Sequence, residues 1–211
     1  MLAKNSRAEN LMSIAVALVF STTVLYAALP TEPDIGGRTS LAGQLLVAAP
    51  DQHGKAFDRT VILLAQHNKA GAVGIVINRP GAPRPIADVL AQLGGDAHGV
   101  SGSVRVFVGG PVDEEIGFAI HSAEYRHPET MDIDGRVAMS GAAEVLRDLG
   151  LGHGPRKSLI ALGYAGWAPT QLEQELANGF WLVVPEDPAL VFDDDRAKVW
   201  AEALALHKSA H

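Results

Sequence analysis

The sequence predicts a compact single α+β domain with a mixed sheet, preceded by one transmembrane helix. Short apolar runs rich in Val, Ile and Leu outnumber the helical segments and do not alternate strictly with them, which favours a mixed sheet over a doubly wound parallel one. Near the N-terminus, residues 11–29 contain no charge, proline or glycine. Residues 41–211 are enough for a single core, because a domain of that size buries roughly 70% of its unfolded surface.

The apolar segment at residues 11–29 has the length of a membrane helix. At about 1.5 Å per residue it spans about 28 Å, close to the hydrocarbon thickness of a bilayer. A buried core helix would be shorter or amphipathic. A cleaved signal peptide has a shorter apolar region, with small residues at positions −3 and −1. The candidate cleavage positions follow Ala27 and Ala28, and they place the large residues Leu25 or Tyr26 at −3. We therefore favour an uncleaved anchor over both alternatives.

The charges that flank this segment favour one orientation. Lys4 and Arg7 precede it, together with the amino terminus. After it, Glu32 and Asp34 outnumber Arg38. The positive-inside rule then predicts a single-pass protein of the inner (plasma) membrane, with a cytoplasmic N-terminus and the domain outside. The bias is only about two charges, so a cytoplasmic domain stays an open alternative.

The chain is accordingly divided into four parts: a tail at 1–10, the transmembrane helix at 11–29, a linker at 30–40 and the domain at 41–211. Small residues allow close packing between membrane helices. The candidates for such packing are Ala15, Ala17, Ser21, Ala27 and Ala28. The lipid bilayer and other subunits of a membrane complex are the expected partners.

Within the domain, apolar runs bounded by turn residues predict strands, and apolar residues three and four apart predict helices. The predicted strands are residues 45–49, 61–65, 73–77, 104–108, 116–120, 136–139, 159–163 and 180–184. The predicted helices are residues 86–93, 142–149, 170–177 and 196–207. Residues 81–85 (GAPRP) are predicted as a turn, and residues 122–134 as mostly irregular.

Composition excludes several kinds of chemistry. The formal net charge of −7 and the lack of a basic run argue against a nucleic-acid partner. The absence of cysteine removes disulfides, thiolate zinc sites and thiol nucleophiles. None of the eight histidines falls in an H-E-x-x-H pattern, and neither a phosphate-binding loop nor a G-x-S-x-G motif is present. We expect no metal and no cofactor, and no catalytic residue can be assigned.

Asn78 and Arg79 place an amide and a guanidinium directly after a predicted strand. Ligands of α/β proteins often bind where strands end, so both residues are candidate ligand contacts. Arg59 is a second candidate cation for an anionic ligand. The alternative is structural, with Asn78 forming a turn and Arg79 paired with a nearby carboxylate. The sequence leaves both interpretations open.

The segment 163–167 (GYAGW) is the second candidate. Its two glycines permit a close approach of another backbone, and its aromatics provide amphipathic surface. Tyr164 and Trp167 are therefore candidate ligand contacts, together with Gly109 and Gly110, which follow another predicted strand. The alternative is a strand-to-helix corner in which Trp167 is packed as an anchor.

These stretches, taken in order, resemble the AlgH/YqgE family of bacterial proteins. The matching pieces are GQLLVAAP at 43–50, FDRTVI at 57–62, GAVGIVINRP at 71–80, VGGPV at 108–112, GF at 117–118 with HS at 121–122, GYAGW at 163–167 with QLE at 171–173, and GFW at 179–181. The resemblance covers about residues 41–205. It implies a compact α+β domain with a mixed, partly barrel-like sheet, and it implies no particular reaction. Family members look like cytosolic proteins, so the apparent anchor of this chain is a departure.

Three functions follow from these observations. The favoured one is a non-catalytic, membrane-anchored accessory or interaction subunit of a larger membrane protein complex. The alternative is a small-molecule-binding or enzymatic domain of unknown reaction, in which Arg79 or Arg59 holds an anion. A transcriptional regulator, a label some family members carry, is least favoured because the chain is acidic. The candidate contact aromatics are Trp167, Phe180, Trp181 and Trp200.

The first two functions predict different surroundings for the candidate residues. A cleft lined by Arg59, Asn78, Arg79 and Tyr164 would favour the ligand-binding function. Burial of all four at structural corners would favour the interaction subunit.

Overall fold

The computed structural model describes residues 40–50 and 56–209, which form ten strands and five helices. The strands are β1 (Gln44–Ala48), β2 (Val61–Asn68), β3 (Gly71–Val76), β4 (Pro80–Pro85), β5 (Ser103–Val108), β6 (Val112–Ser122), β7 (Met131–Asp132), β8 (Val137–Gly141), β9 (Ser158–Trp167) and β10 (Trp181–Pro185). The helices are α1 (Ile86–Gln92), α2 (Ala142–Leu151), α3 (Gln171–Ala177), α4 (Pro188–Val191) and α5 (Val199–Ser209).

All ten strands belong to one sheet, whose main path runs β10-β1-β2-β3-β9-β6-β8-β7. The antiparallel β4–β5 pair joins this path at β9, where β5 pairs in parallel with Ile160–Leu162. Beyond that point β9 pairs with β3 instead, through Ala165–Trp167. The same edge of the long strand β9 thus pairs first with β5 and then with β3. The sheet curls into a half-barrel. The predicted mixed, partly barrel-like α+β sheet is confirmed.

Two clusters of buried side chains form the interior. The first lies under α3 and consists of Leu46, Ala48, Ile62, Leu64, Ala72, Val76, Ala165, Trp167, Leu172 and Trp181. The second lies between the sheet and helices α1 and α2, and consists of Ile86, Val89, Leu90, Val106, Ala119, Ala142, Val145, Leu146 and Ile160. Helix α5 packs on β10, β1 and β2. Its buried residues Val199 and Ala203 are spaced four apart, as an amphipathic helix requires.

The predicted strands and helices are all present, with differences at four places. Residues 81–85 form most of β4 instead of a turn. Proline disrupts a central strand but is tolerated at an edge, and among the described strands β4 pairs with β5 alone. The short strand β7 lies in the segment predicted as irregular, and α4 was not predicted. The last helix begins at Val199 instead of residue 196.

The predicted transmembrane helix at 11–29 lies outside the described residues, and so do the tail and nearly all of the linker. The five small residues predicted to pack this helix lie outside them as well. In the part of the chain that the structure describes, every helix is too short or too polar to cross a bilayer.

Candidate functional site

Asn78 joins the end of β3 to the start of β2. Its Oδ1 accepts a hydrogen bond from the Val61 amide at 2.9 Å, and its Nδ2 donates to the Arg59 carbonyl at 2.8 Å. Arg59 has a φ of 50°, a left-handed conformation that costs a non-glycine residue about 1–2 kcal/mol. The Asn78 side chain therefore satisfies a buried backbone amide and holds the strained residue in place.

Arg79 extends towards the same corner but contacts a hydroxyl group. Its Nη2 donates to Thr60 Oγ1 at 2.7 Å, and Thr60 is fully buried. The Arg79 carbonyl accepts from the Val108 amide at 3.0 Å, which joins β4 to β5. The half-buried Arg79 side chain forms no ion pair with a carboxylate of the described residues. Its remaining guanidinium N–H groups are available to an external acceptor.

Arg59 lies on the surface, with its Cζ atom 5.6 Å from the centroid of the Trp200 ring. Trp200 is half-buried on α5, and its Nε1 donates to the Ala48 carbonyl at 2.9 Å. The hydrogen bond to Ala48 thus fixes the Trp200 ring, and one face of that ring contacts the Arg59 guanidinium. A cation–π contact at an exposed site is worth about 0.5–1 kcal/mol. We call Arg59, Arg79 and Trp200 the arginine–tryptophan surface.

Gly109 and Gly110 bring the end of β5 against β9. The Gly109 amide donates to the Leu162 carbonyl at 2.7 Å, and its carbonyl accepts from the Val76 amide at 2.8 Å. A Cβ atom at Gly109 would overlap the carbonyl oxygen of Gly163, and one at Gly110 would overlap the Tyr164 backbone. The lack of a side chain at Gly109 and Gly110 therefore allows the backbone of β9 to pass in direct contact with them.

Tyr164 is buried behind these glycines. Its hydroxyl donates to Asp113 Oδ2 at 3.1 Å, and its ring meets Phe118 edge-on at a centroid distance of 6.1 Å. Burial, followed by the hydrogen bond to Asp113, raises the pKa of Tyr164 to about 12. Asp113 lies where the register of β6 against β9 shifts, between Val112 and Gly117. Tyr164 thus fastens β9 to the irregular start of β6.

Trp167 belongs to a cluster around one carboxylate. The indole Nε1 groups of Trp167 and Trp181 each donate to Glu175 Oε2 at 2.8 Å, and Gln171 Nε2 donates to Glu175 Oε1 at 2.9 Å. The two indoles also meet edge-on at 6.1 Å. We call this group the indole clip, because it fixes α3 on the sheet. Glu175 was not recognised in the sequence, although it stands four residues after Gln171 on one helix face.

The structure brings together some of the predicted site residues. Asn78, Arg79 and Arg59 share one corner, and the Arg79–Val108 hydrogen bond connects that corner to the glycine pair and hence to Tyr164. Trp167 lies further along β9, in the core beneath α3. Of the described residues, no set of three His, Cys, Asp or Glu side chains is placed to hold a metal ion. The assignment of these residues to a ligand stays a prediction.

Comparison with known proteins gives a consistent result. The family model described as AlgH-like (DUF179) matches residues 45–210. A UPF0301 protein of Gluconobacter oxydans is 40% identical over 166 residues, which cover 78% of this chain and 89% of that protein. A UPF0301 protein of Jannaschia is also 40% identical over 166 residues, covering 78% of this chain and 86% of that one.

Two solved structures have the same fold. The solution structure of the AlgH protein from Pseudomonas aeruginosa matches with a TM-score of 0.65 at 37% identity, covering 87% of this chain and 96% of that one. A crystal structure of a Corynebacterium diphtheriae protein matches with a TM-score of 0.59 and covers 84% of this chain and 90% of that one. At 23% identity, the second match shows the fold alone.

Proposed function

The chain belongs to the AlgH-like family, and from this premise we propose that it is a non-catalytic accessory or interaction subunit of a larger membrane protein complex. In this proposal residues 11–29 anchor it in the inner membrane, and the folded domain binds a partner subunit. The partner contact is the arginine–tryptophan surface. The small residues of the anchor pack against membrane helices of the same complex.

The contacts of the predicted ligand residues support an interaction role. Both polar atoms of the Asn78 side chain bond to backbone groups, and the Tyr164 hydroxyl bonds to Asp113. The Trp167 indole bonds to Glu175 inside the indole clip. These groups hold strands and helices together, so a bound small molecule would compete with the fold for them. Of the four residues expected at structural corners, Asn78 and Tyr164 therefore have structural contacts, whereas Arg59 is exposed and Arg79 is half-buried.

The observation that carries the proposal is the composition of the arginine–tryptophan surface. Arginine and tryptophan are the residue types most enriched at the energetic centres of protein interfaces. Here the exposed Arg59 is stacked on a fixed indole, and the Arg79 side chain bonds to a single hydroxyl in the part of the chain that the structure describes. The chain as a whole carries a net charge of −7, whereas this surface contains two arginines that form no ion pair among the described residues. A partner with a carboxylate-rich surface would pair with them in bidentate geometry.

A second function is favoured by one feature of Arg79. Because, among the described residues, its guanidinium bonds to Thr60 alone, it could hold the carboxylate or phosphate of a small molecule, as the ligand-binding alternative requires. This alternative predicts that a free oxyanion stabilises the domain and that the effect is lost in Arg79→Ala. The interaction-subunit hypothesis predicts that millimolar phosphate or acetate leaves the thermal stability of the domain unchanged. Thermal unfolding of the full-length chain in detergent distinguishes the two.

The proposal is tested by affinity purification of the full-length, C-terminally tagged chain from mildly solubilised membranes. We expect one partner in stoichiometric amount. Charge reversal in Arg59→Glu should reduce its recovery at least tenfold, equivalent to a loss of about 1.4 kcal/mol of binding free energy. The matched control is Lys157→Glu, which makes the same charge change at an exposed residue outside the arginine–tryptophan surface. Equal recovery with both variants would contradict the proposed surface, and recovery from the soluble fraction would contradict the anchor.

A further inference from the structure

Strands β10 and β7 are the two ends of the sheet, yet side chains connect them. The sheet path begins at β10 and ends at β7, and in the described residues no backbone pairing joins these two strands. Residue 186 directly follows β10, and residues 133–136 form the turn between β7 and β8. Side chains of that turn contact Glu186. The open side of the half-barrel is therefore closed by side chains, in a group formed by Asp134, Arg136 and Glu186 that we call the seam.

The seam contains two carboxyl groups and one guanidinium. Arg136 Nη2 donates to Glu186 Oε2 at 2.6 Å, to the Glu186 carbonyl at 2.9 Å and to Asp134 Oδ2 at 3.0 Å. The Arg136 side chain is 57% exposed, whereas the Glu186 side chain is 1% exposed. One positive charge at the surface thus faces two carboxyl groups, one of them fully buried. With both groups ionised, the seam would contain a buried excess negative charge, which is costly in a protein interior.

One atom of the seam lacks a partner. Glu186 Oε1 is the buried side-chain atom without a hydrogen bond in the described part of the chain. Asp134 Oδ2 and Glu186 Oε2 both accept from the same nitrogen, Arg136 Nη2, so the two carboxyl groups lie side by side. A proton on Glu186 would be donated to Asp134, which would give the unpaired oxygen a partner and remove the excess charge at the same time. Buried polar groups are nearly always satisfied in this way.

We propose that the seam holds one proton shared by Glu186 and Asp134, and that loss of this proton releases the β7–β8 turn from β10 and opens the half-barrel. With the proton present, Arg136 pairs with a single carboxylate and the carboxyl pair is hydrogen-bonded. With the proton absent, two carboxylates repel each other against one exposed guanidinium. The turn is then the element that moves, because within the described residues no backbone hydrogen bond holds it to the β10 end of the sheet.

The electrostatics agree with this geometry. Burial, followed by the hydrogen bond and charge of Asp134, raises the pKa of Glu186 to about 8. Burial alone would raise the pKa of Asp134, but the hydrogen bonds from Glu186 and from the amides of Val137 and Arg136 lower it to about 2. The two shifts have opposite directions, as expected for two carboxyl groups that share one proton.

The other groups near Glu186 do not replace this proton. Asp187 follows Glu186 and adds negative charge, and its own carboxylate caps α4. The neighbouring strand β1 places the uncharged Gln44 opposite Pro185. From α5, His207 reaches the Val183 carbonyl at 3.4 Å. Across the β7–β8 turn, Asp132 is engaged by Arg126 and by the Gly135 amide. Arg136 is thus the cation that faces Glu186.

The experiment uses hydrogen exchange of the β7–β8 turn in the full-length chain in detergent, from pH 6 to pH 9.5. The amides of Arg136 and Val137 donate to Asp134 Oδ1 at 2.9 Å, so their protection reports on the order of the turn that the seam holds in place. After division by the intrinsic exchange rate, we expect protection to fall by about tenfold per pH unit up to about pH 8, because opening releases one proton wherever Glu186 is protonated in the closed seam and ionised in the open one. Above about pH 8 we expect protection to level off, since Glu186 is then ionised in both states.

Glu186→Gln is the decisive variant, because its amide has a permanent donor for Asp134 and cannot ionise. Its protection should stay constant to pH 9.5, while the control Glu202→Gln, an equal change at an exposed residue of α5, should follow the wild type. A wild type without loss, or a Glu186→Gln variant with the same loss, would overturn the proposal. If Glu186→Gln does not fold, the test is an NMR titration of the wild type, in which the chemical shift of the Glu186 carboxyl carbon is followed against pH. A titration midpoint near 8 supports the seam, and one near 4.5 overturns it.

Discussion

Replacing Asn78 by alanine should destabilise the domain strongly, because its side chain satisfies backbone groups of the adjacent strand. The substitution leaves the amide of the fully buried Val61 without an acceptor, which costs about 1–3 kcal/mol. It also removes the donor to the Arg59 carbonyl, a bond worth about 0.5–1.5 kcal/mol. The sum is a loss of roughly 2–4 kcal/mol in the free energy of unfolding.

This loss can be measured by urea unfolding of the full-length chain in mild detergent, followed by tryptophan fluorescence. All three tryptophans of the chain lie in the described domain, so the signal reports on its unfolding. With a urea dependence of about 1–3 kcal/mol per molar, the midpoint should fall by about 1 M or more. Asn78→Asp retains the acceptor for Val61 and loses the donor, so its midpoint should lie between those of the wild type and the alanine variant.

The matched control is Asn68→Ala. Asn68 also accepts a backbone hydrogen bond, from Ala70 at 2.7 Å, but its side chain lies at an exposed turn. Its removal should cost less than about 1 kcal/mol, because water replaces the lost partner. Equal midpoints for Asn78→Ala and Asn68→Ala would refute the structural role of Asn78. Its amide would then be free to serve the ligand-binding function instead.

Three further substitutions test other contacts by the same unfolding measurement. Glu175→Ala should cost about 2–4 kcal/mol, because two buried indole N–H groups lose their acceptor; a cost below about 1 kcal/mol would contradict the indole clip. Gly110→Ala should cost at least about 2 kcal/mol, since its Cβ would overlap the Tyr164 backbone, and a neutral result would mean that β9 does not pass this glycine closely. Tyr164→Phe should cost only about 0.5–1.5 kcal/mol, the value of its hydrogen bond to Asp113; a larger loss would show that the hydroxyl has additional partners.

The sequence was informative where burial follows a local pattern. The runs at 45–49 and 61–65 consist almost entirely of apolar residues, and such runs predict buried strands from the sequence alone. In the structure the side chains of both runs are buried. Strand β4 was missed because its three prolines resemble a turn, and only its position at an edge of the sheet makes them acceptable. The partly barrel-like shape came from the family resemblance and not from periodicity.

The contacts of the candidate site were less accessible from the sequence because they join distant residues. Asn78 bonds to groups 17 and 19 residues away, and Arg136 bonds to Glu186 across 50 residues. No local pattern marks such pairs, since each depends on the register of several strands. The sequence suggested two roles for Asn78 and for Trp167, and only the tertiary contacts show that both side chains hold elements of the fold together.

The proposed interaction role is tested most directly by the amount of partner that co-purifies with the full-length chain from detergent-solubilised membranes. We expect a membrane partner in stoichiometric amount, recovered with the wild type and with Lys157→Glu and lost at least tenfold with Arg59→Glu. Recovery of the chain alone, in the soluble fraction and beginning near residue 40, would contradict both the anchor at residues 11–29 and the proposed accessory role.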